Sequence, residues 1–126
     1  MSGNVRPQAY LKSSCPFCFK FVMFMAEAQL MDRIEIVRID ASNQEEMNHY
    51  RQLLQEQTGT PASFPTVEIR RGEYLSDSDV LIDYFAGEYG VDATALPGLA
   101  YYKANLLPAY RANFAELKAL KEARQD

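Results

Sequence analysis

The sequence predicts an α/β fold, in which a mixed four-stranded sheet carries helices on both faces and a helical extension follows. Strand and helix patterns alternate along the first part of the chain, and a β-branched run at 34–39 is apolar on both sides. With 126 residues and 48% hydrophobic content, the chain is expected to form one core. We therefore expect one domain at 1–90 and a helical extension at 91–126 that packs on the same domain.

The first predicted elements are a strand and a helix separated by a short polar loop. Ala9 to Leu11 has strand character, and Pro16 suits the first turn of a helix that runs to about Met31. The apolar residues of this helix cover more than one face, so we expect another element to pack against its second face. These residues are Phe17, Phe19, Phe21, Val22, Phe24, Met25 and Ala28.

A buried strand and a second helix come next. Residues 34–39 fit a parallel central strand, because their apolar side chains point to both faces of a sheet. Ser42 and Glu45 have the spacing of a capping box at the start of a helix. Gly59 and Pro61 mark the end of that helix.

A hairpin and a third helix complete the predicted sheet domain. Two short strands at 66–69 and 74–75 flank a tight turn at 70–72, and Ser76 with Asp79 forms a second capping-box pattern. A βαβ unit followed by a ββα unit predicts the mixed four-stranded sheet. The apolar stripe of the third helix consists of Leu81, Phe85 and Tyr89, before Gly90.

Residues 91–126 are helical by pattern, and Pro108 is expected to kink or divide this segment. We interpret its apolar stripe as a packing face, for which the first helix is the expected surface. The stripe comprises Leu99, Tyr102 and Leu106 before the proline, and Tyr110, Phe114 and Leu117 after it.

Charge and hydropathy argue against several classes of function. The net charge is -4 without a long run of either sign, so a nucleic-acid partner is not expected. The most apolar stretch, 17–28, falls short of the roughly 20 apolar residues that cross a bilayer, and no membrane partner is expected. Residues 1–7 lack the apolar core of a secretory signal, so we expect a cytoplasmic protein.

The two cysteines, Cys15 and Cys18, stand in the sequence K-S-S-C-P-F-C. A structural disulfide is a poor explanation, because the bridge would close almost no loop and such bridges are rare in a reducing cytosol. A zinc site needs four ligands, and the single histidine, His49, falls in the predicted second helix. Two inert buried thiols are the remaining structural alternative.

A working redox pair explains the same spacing. Free backbone N–H groups and the helix dipole stabilise an anion at a helix N-terminus, so the thiolate of Cys15 should be favoured. Thiols in C-x-x-C settings have pKa values lowered to about 3.5 to 7.5. Cys18 lies one turn further into the helix, behind Pro16 and Phe17, and would act as the resolving thiol.

Two segments resemble a known family. Residues 12–18 resemble the active-site loop of glutaredoxins, with a lysine, two small residues and a C-P-aromatic-C motif. Residues 63–67, S-F-P-T-V, are similar to the cis-proline segment that opens the third strand of the thioredoxin fold. The resemblance spans about residues 5–90 and implies a thioredoxin-like fold.

The resemblance to glutaredoxins also implies roles for individual residues. Lys12 would meet the glycyl carboxylate of glutathione, and Cys15 would attack the mixed disulfide that glutathione forms. Phe17 would flank the bound peptide. Phe64 would offer its backbone to the cysteinyl part of glutathione, next to a cis bond at Pro65. A trans proline at the start of a strand is the alternative reading of Pro65.

Residues 75–79 resemble the glutathione-binding domain of glutathione transferases instead, where an acidic residue precedes a serine. This resemblance implies that Asp77 holds the ammonium group of glutathione and that Ser78 holds its γ-glutamyl carboxylate. Helix capping alone would explain Ser76 and Asp79. The C-terminal segment resembles one or two helices of the all-helical domain that follows this unit in transferases.

The leading interpretation is a glutathione-dependent thiol-disulfide oxidoreductase. Cys15 attacks glutathione mixed disulfides or other disulfides, and Cys18 or a second glutathione resolves the intermediate. Glutathione is then a co-substrate, glutathionylated or disulfide-containing molecules are the partners, and no metal is expected.

Two alternatives belong to other classes of function. In one, Cys15 and glutathione hold an iron-sulfur cluster between two subunits, since thiolates select such clusters. In the other, the chain is a non-catalytic adaptor, whose apolar first helix binds a partner or a second copy of the chain in a homodimer.

Overall fold

We describe the protein from a computed structural model, in which residues 6–124 are described. Residues 1–5 and 125–126, which the predicted domain and extension include, lie outside the described residues. The predicted α/β fold with its mixed four-stranded sheet is confirmed. The elements are β1 (Gln8–Lys12), α1 (Pro16–Glu27), β2 (Glu35–Ile39), α2 (Gln44–Thr58), β3 (Thr66–Arg70), β4 (Glu73–Ser76), α3 (Ser78–Tyr89), α4 (Pro97–Tyr101) and α5 (Leu107–Ala123).

The strand order in the sheet is β2-β1-β3-β4. β1 pairs in parallel with β2, and the connection between them runs through α1, as a parallel pair requires. β3 is antiparallel to both β1 and β4, and a tight turn at Gly72 joins β3 to β4. β1 is therefore an interior strand, with β2 on one side and β3 on the other.

The core lies on both faces of the sheet. α1 and α3 contact each other on one face, where they bury most of the apolar side chains of the protein. α1 therefore packs against the sheet on the face that it shares with α3, through residues that include Cys18 and Phe21.

α2 covers the other face of the sheet through Met47 and Leu54, which pack against Tyr10 of β1 and Ile39 of β2. β2 is an edge strand, so the predicted central position of residues 34–39 is wrong, although their parallel pairing is confirmed.

α1 ends at Glu27, one turn earlier than the predicted end near Met31. The backbone of Gln29 turns into the left-handed region with a φ of 62°, and the amide of Leu30 bonds back to Met25 O at 2.7 Å. Leu30 is thereby buried, and a short 3₁₀ turn at Met31–Arg33 leads into β2. The sequence pattern alone could not locate this reversal, because no glycine marks it.

The predicted capping box of α2 is one residue out of register. Asn43 is the N-cap, and its side chain accepts a hydrogen bond from the amide of Glu46. Glu46 in turn accepts from the amide of Asp40 at 2.8 Å. Ser42 does not cap the helix, because its hydroxyl donates to the carboxylate of Asp40 at 2.6 Å.

The predicted cap of α3 is also wrong by one residue. Ser76 is the last residue of β4, paired with Thr66 in the sheet, so the helix begins only after Asp77. Asp77 is the N-cap, and its Oδ1 accepts from the amide of Asp79 at 2.8 Å. The pairing of the two strands, which no local pattern reveals, decides the register of this cap.

The second face of α1 is covered by the start of the C-terminal segment. The carboxylate of Glu27 accepts hydrogen bonds from the amides of Gly98 and Leu99 at 2.8 and 2.7 Å, and so caps α4. The hydroxyl of Tyr102 donates to Pro16 O at 2.7 Å, at the other end of α1. α1 is thus held at both of its ends by residues of this segment.

Pro108 does not divide the C-terminal helix. A π turn at Tyr102–Leu106 joins α4 to α5, and the amide of Leu107 bonds to Tyr102 O, five residues back. This widened turn lies next to the position where the proline lacks an N–H to donate. The chain therefore remains helical from α4 to the end of α5.

The outer half of the C-terminal stripe is exposed, which contradicts the expected packing face. Tyr110, Phe114 and Leu117 keep 40%, 56% and 49% of their surfaces exposed, whereas Leu99 and Tyr102 are buried. α4 and Tyr102 already occupy the second face of α1, so α5 projects beyond it. None of the helices within residues 6–124 combines the length and apolar composition needed to cross a membrane.

Replacing Glu27 by alanine should loosen the contact between α1 and α4. Because Glu27 is the side chain that satisfies two amides at the start of α4, its loss should cost about 1 kcal/mol of the free energy of unfolding. Urea denaturation followed by circular dichroism measures this loss. Glu116→Ala, on the exposed surface of α5, is the matched control and should change the stability by less than about 0.5 kcal/mol. Equal stabilities of the two variants would contradict the capping role.

Candidate active site

The loop between β1 and α1 presents Cys15 at the start of the helix. Ser14 adopts a left-handed backbone with a φ of 59°, and Cys15 is the extended N-cap residue of α1. Two hydrogen bonds tie the loop to the end of β2, from the amide of Ser13 to Ile39 O and from the amide of Ala41 to Ser13 Oγ, both at 2.9 Å. Cys15 is therefore held by the sheet on one side and by the helix on the other.

The sulfur of Cys15 occupies the position that a capping oxygen usually fills. It accepts a hydrogen bond from the amide of Cys18 at 3.4 Å. The hydrogen bond with the Cys18 thiol, the amides of Cys18 and Phe17 and the charge of Lys12 together lower the pKa of Cys15 to about 6, against the opposing effect of burial. At neutral pH Cys15 is consequently a thiolate.

Cys18 has the opposite protonation behaviour. Its hydrogen bond to Cys15 and its burial raise the pKa of the Cys18 thiol, and only 4% of the residue is exposed. Both cysteines are free thiols. The pair is therefore asymmetric, with an ionised sulfur at the helix terminus and a protonated one behind it.

The segment before β3 faces Cys15. The bond between Phe64 and Pro65 is cis, and Cys15 Sγ lies 3.9 Å from Phe64 O. The ammonium group of Lys12 lies 5.6 Å from the centre of the Phe64 ring. The structure thus brings four of the predicted site residues together, namely Lys12, Cys15, Phe64 and Pro65.

Cys15 is 92% covered, yet it opens onto two clefts. One cleft, of about 510 Å³, also borders Cys18 and the end of β2. The other, of about 260 Å³, lies between the start of α1 and the residues Tyr110, Arg111 and Phe114 of α5. Cys15 therefore borders the surface through both clefts.

Phe17 lies between the site and the C-terminal segment. The side chain is half-buried, and two cations lie near its ring: Arg111 at 5.1 Å and Lys20 at 5.9 Å from the ring centre. Sequence reasoning identified Phe17 but neither of these cations. Arg111 is distant from Phe17 in the chain, so no local pattern indicates that contact. Lys20 lies three residues after Phe17 in the same helix, and this spacing could have indicated the second contact.

The other two predicted residues, Asp77 and Ser78, begin α3. Asp77 is exposed and has a left-handed backbone with a φ of 81°, while Ser78 is 4% exposed. Within residues 6–124, no hydrogen bond or cation-π contact joins either residue directly to Cys15, Lys12 or Phe64. They form a second group, at the amino end of a different helix.

An ion pair that sequence reasoning missed connects the two groups. The ammonium group of Lys20, in α1, lies 2.8 Å from Asp79 Oδ1 in the first turn of α3. Lys20 interrupts the apolar run of α1 in the sequence, and that interruption is the signal that could have indicated a buried partner. Tyr102 was likewise assigned only to a packing stripe, although its hydroxyl bonds to the active-site turn.

The fold and the site together define a class: thioredoxin-like proteins with a cysteine at the start of the first helix, beside a cis-proline. The family model of the glutathione S-transferase N-terminal domain matches residues 14–88. The chain therefore belongs to the glutathione S-transferase N-terminal domain family. Among curated protein sequences, none matches the chain.

Solved structures show the same fold at low sequence identity. A glutathione S-transferase from the Antarctic clam Laternula elliptica is 17% identical with a TM-score of 0.53, over 68% of this chain and 36% of that protein. Glutathione transferase Omega 1C from Trametes versicolor is 20% identical with a TM-score of 0.51, over 68% of this chain and 37% of that protein. The chain thus spans little more than a third of these transferases.

A smaller protein is matched over most of its length. Oxidized glutaredoxin 2 from Chlamydomonas reinhardtii is 22% identical with a TM-score of 0.50, over 75% of this chain and 82% of that protein. The predicted likeness to both groups of proteins is confirmed at the level of the fold.

Alkylation of Cys15 should report its lowered pKa directly. Because only the thiolate reacts, the rate with iodoacetamide should rise as the pH increases through about 6 and then level off. The rate should be measured from about pH 4 to about pH 10, a range that covers both the thiol and the thiolate form. The midpoint of the resulting curve is the pKa of Cys15.

Cys18→Ala is the informative variant for this measurement. It removes the thiol whose hydrogen bond is the largest cause of the lowered pKa, so the midpoint should move upward. Cys15→Ser should abolish the fast reaction, since Cys18 remains protonated and buried. A wild-type midpoint near 8.5 or above, about the value of an ordinary cysteine, would contradict the thiolate assignment.

Proposed function

We propose that the protein is a glutathione-dependent thiol-disulfide oxidoreductase, in which Cys15 is the nucleophile and Cys18 the resolving thiol. The observation that carries this proposal is the asymmetric pair: a Cys15 thiol with a pKa of about 6 beside a protonated, buried Cys18. A nucleophile ionised at neutral pH and a nearby reserve thiol are what exchange of thiols and disulfides requires.

The proposed chemistry begins with the Cys15 thiolate. It attacks the glutathione sulfur of a mixed disulfide, so that a new S–S bond forms as the old one breaks and the substrate leaves as a thiolate. The substrate thiolate then takes a proton from water. A second glutathione, as its thiolate, attacks the glutathione sulfur on Cys15, releases glutathione disulfide and restores the Cys15 thiolate.

The dithiol route uses Cys18 instead of the second glutathione. Once Cys15 carries glutathione, its sulfur is no longer a thiolate, so the hydrogen bond that is the largest cause of the raised pKa of Cys18 is lost, and the charge that adds to it is lost as well. Cys18 then loses its proton more readily and attacks Cys15 Sγ, which expels glutathione and leaves an internal disulfide. The first step of the reaction thus prepares the second thiol.

Glutathione would lie across the two groups of site residues. We propose that Lys12 meets its glycyl carboxylate, that Phe64 offers its backbone to the cysteinyl part beside cis-Pro65, and that Phe17 flanks the peptide. Phe64 O lies 3.9 Å from Cys15 Sγ, so a peptide bound along it would have its sulfur close to the nucleophile.

The γ-glutamyl end would lie at the start of α3. Asp77 is exposed there and would meet the ammonium group, while Ser78 would hold the carboxylate at the amino end of the helix. Oδ1 of Asp77 also accepts the amide of Asp79, so the carboxylate is oriented before the ligand arrives.

We propose disulfide exchange rather than conjugation because the protein supplies the anionic sulfur itself. Glutathione transfer to an electrophile needs the glutathione thiolate as the nucleophile, whereas a Cys15 thiolate in that place takes the glutathionyl group from a disulfide and releases the partner as a thiolate. The chain also spans only 36% of the clam transferase, so that protein's activity does not come with the shared fold.

The test is turnover of a glutathione mixed disulfide by the wild type and two cysteine variants. Cys15→Ser should lose activity by a factor of at least about 10³, since it removes the nucleophile. Cys18→Ser should keep turnover, because a second glutathione completes the monothiol route. The coupled assay follows NADPH oxidation through glutathione reductase, with a small mixed disulfide as substrate.

Thermal unfolding of both variants is the control, since either sulfur lies in the core. Activity that survives in a folded Cys15→Ser variant would refute the assignment. Glutathione binding without any turnover by the wild type would also refute it, and would favour the non-catalytic adaptor.

A further inference from the structure

Among the lysines, arginines, aspartates and glutamates of residues 6–124, Lys20 is the only one that is buried, with 2% of its surface exposed. Its ammonium group lies 2.8 Å from Asp79 Oδ1. A buried ammonium is costly unless it is paired, so a lysine in the middle of an apolar helix face calls for an explanation. Packing alone does not supply one, because a methionine would fill the same space without that cost.

Asp79 is the reason to connect this pair with the proposed glutathione site. It lies in the first turn of α3, directly after Ser78, and its side chain remains 65% exposed. The hydrogen bond from Lys20 lowers the pKa of Asp79, so the carboxylate is ionised at neutral pH. A fixed negative charge therefore stands at the helix end that the γ-glutamyl carboxylate would approach.

Two anions at one helix N-terminus oppose each other. The amino end of a helix attracts negative charge, and a carboxylate of the protein in the first turn partly neutralises the positive end of the helix dipole. A ligand carboxylate arriving beside Ser78 would also be repelled by Asp79. Lys20 offsets the charge of Asp79 and holds its side chain toward α1.

We propose that Lys20 is a positioning residue for the γ-glutamyl carboxylate of glutathione and acts through Asp79. The inference rests on the proposed function, since it assumes that glutathione binds at the start of α3.

Two other cations face Asp79 from the C-terminal segment. Lys103 in the π turn and Arg111 in α5 both favour its ionised form, but neither is hydrogen-bonded to it within residues 6–124. Lys103 is exposed, so its charge is screened by solvent. Lys103→Met is therefore a matched control, in which a lysine charge near Asp79 is lost without breaking the ion pair.

The test compares the kinetics of Lys20→Met with those of the wild type and of Lys103→Met. Methionine keeps most of the volume of Lys20 and exposes the charge of Asp79, so the KM for the glutathione mixed disulfide, whose glutathionyl part occupies the proposed site, should rise about five-fold, the size of a charge effect at a helix end. The kcat at saturating mixed disulfide should stay within about two-fold, because Cys15 is not touched. Lys103→Met should change neither constant by more than about two-fold.

A second variant separates the charge effect from a structural one. In the double variant Lys20→Met with Asp79→Asn, no charge remains unpaired, and the KM should return toward the wild-type value. A purely structural role predicts the opposite, because the double variant lacks the ion pair as well. If Lys20→Met does not fold, Asp79→Asn alone decides: its KM should not rise, and a rise would overturn the proposal.

Failure of this inference is distinguishable from failure of the proposed function. A wild type that neither turns over the mixed disulfide nor binds glutathione in a calorimeter overturns the proposed function, and this inference with it. If the wild type is active and Lys20→Met has the same KM as the wild type, the inference alone is overturned. Circular dichroism and thermal unfolding establish that each variant compared is folded.

Discussion

The hydrogen bonds between Cys18 and the sulfur of Cys15, at the first turn of α1, are the interaction on which the rest of the site depends. They make Cys15 both the cap of the helix and its anion, since a helix end with free amides stabilises whichever negative group lies there. The same contacts keep the proton on Cys18. These contacts thus give two identical side chains different protonation states, with an ionised sulfur at the helix terminus and a protonated one behind it.

This geometry requires that α1 be immobile, and the fold secures the helix on both faces. The sheet and α3 bury one face through a continuous apolar core, and the C-terminal segment covers the other. Glu27 joins the end of α1 to α4, while Tyr102 bonds to Pro16 O beside the cysteines. The excess of apolar residues in α1 is therefore explained by its position between two packing layers.

The parts that sequence reasoning predicted are those set by local chemistry. A C-P-F-C motif after a strand places one thiol at a helix terminus wherever the helix is packed, so the order of Cys15 and Cys18 follows from the sequence. The caps at Asn43 and Asp77 were missed by one residue because strand pairing and a turn at Asp40 decide where each helix begins. The exposure of Phe114 was missed because a helical stripe does not reveal whether its partner surface is already occupied.

Charge contacts between distant elements were the hardest to predict, and they organise the site around Phe17. Lys20 and Arg111 both lie near its ring, and Lys20 continues to Asp79 at the start of α3. Each contact alone is modest, because cation-π pairs contribute about 0.5–1 kcal/mol at exposed sites and about 2 when desolvated. Together the contacts are continuous, from Arg111 in α5 through Phe17 and Lys20 in α1 to Asp79 in α3. The C-terminal segment, although outside the residues matched by the family model, is in this way physically connected to the start of α3.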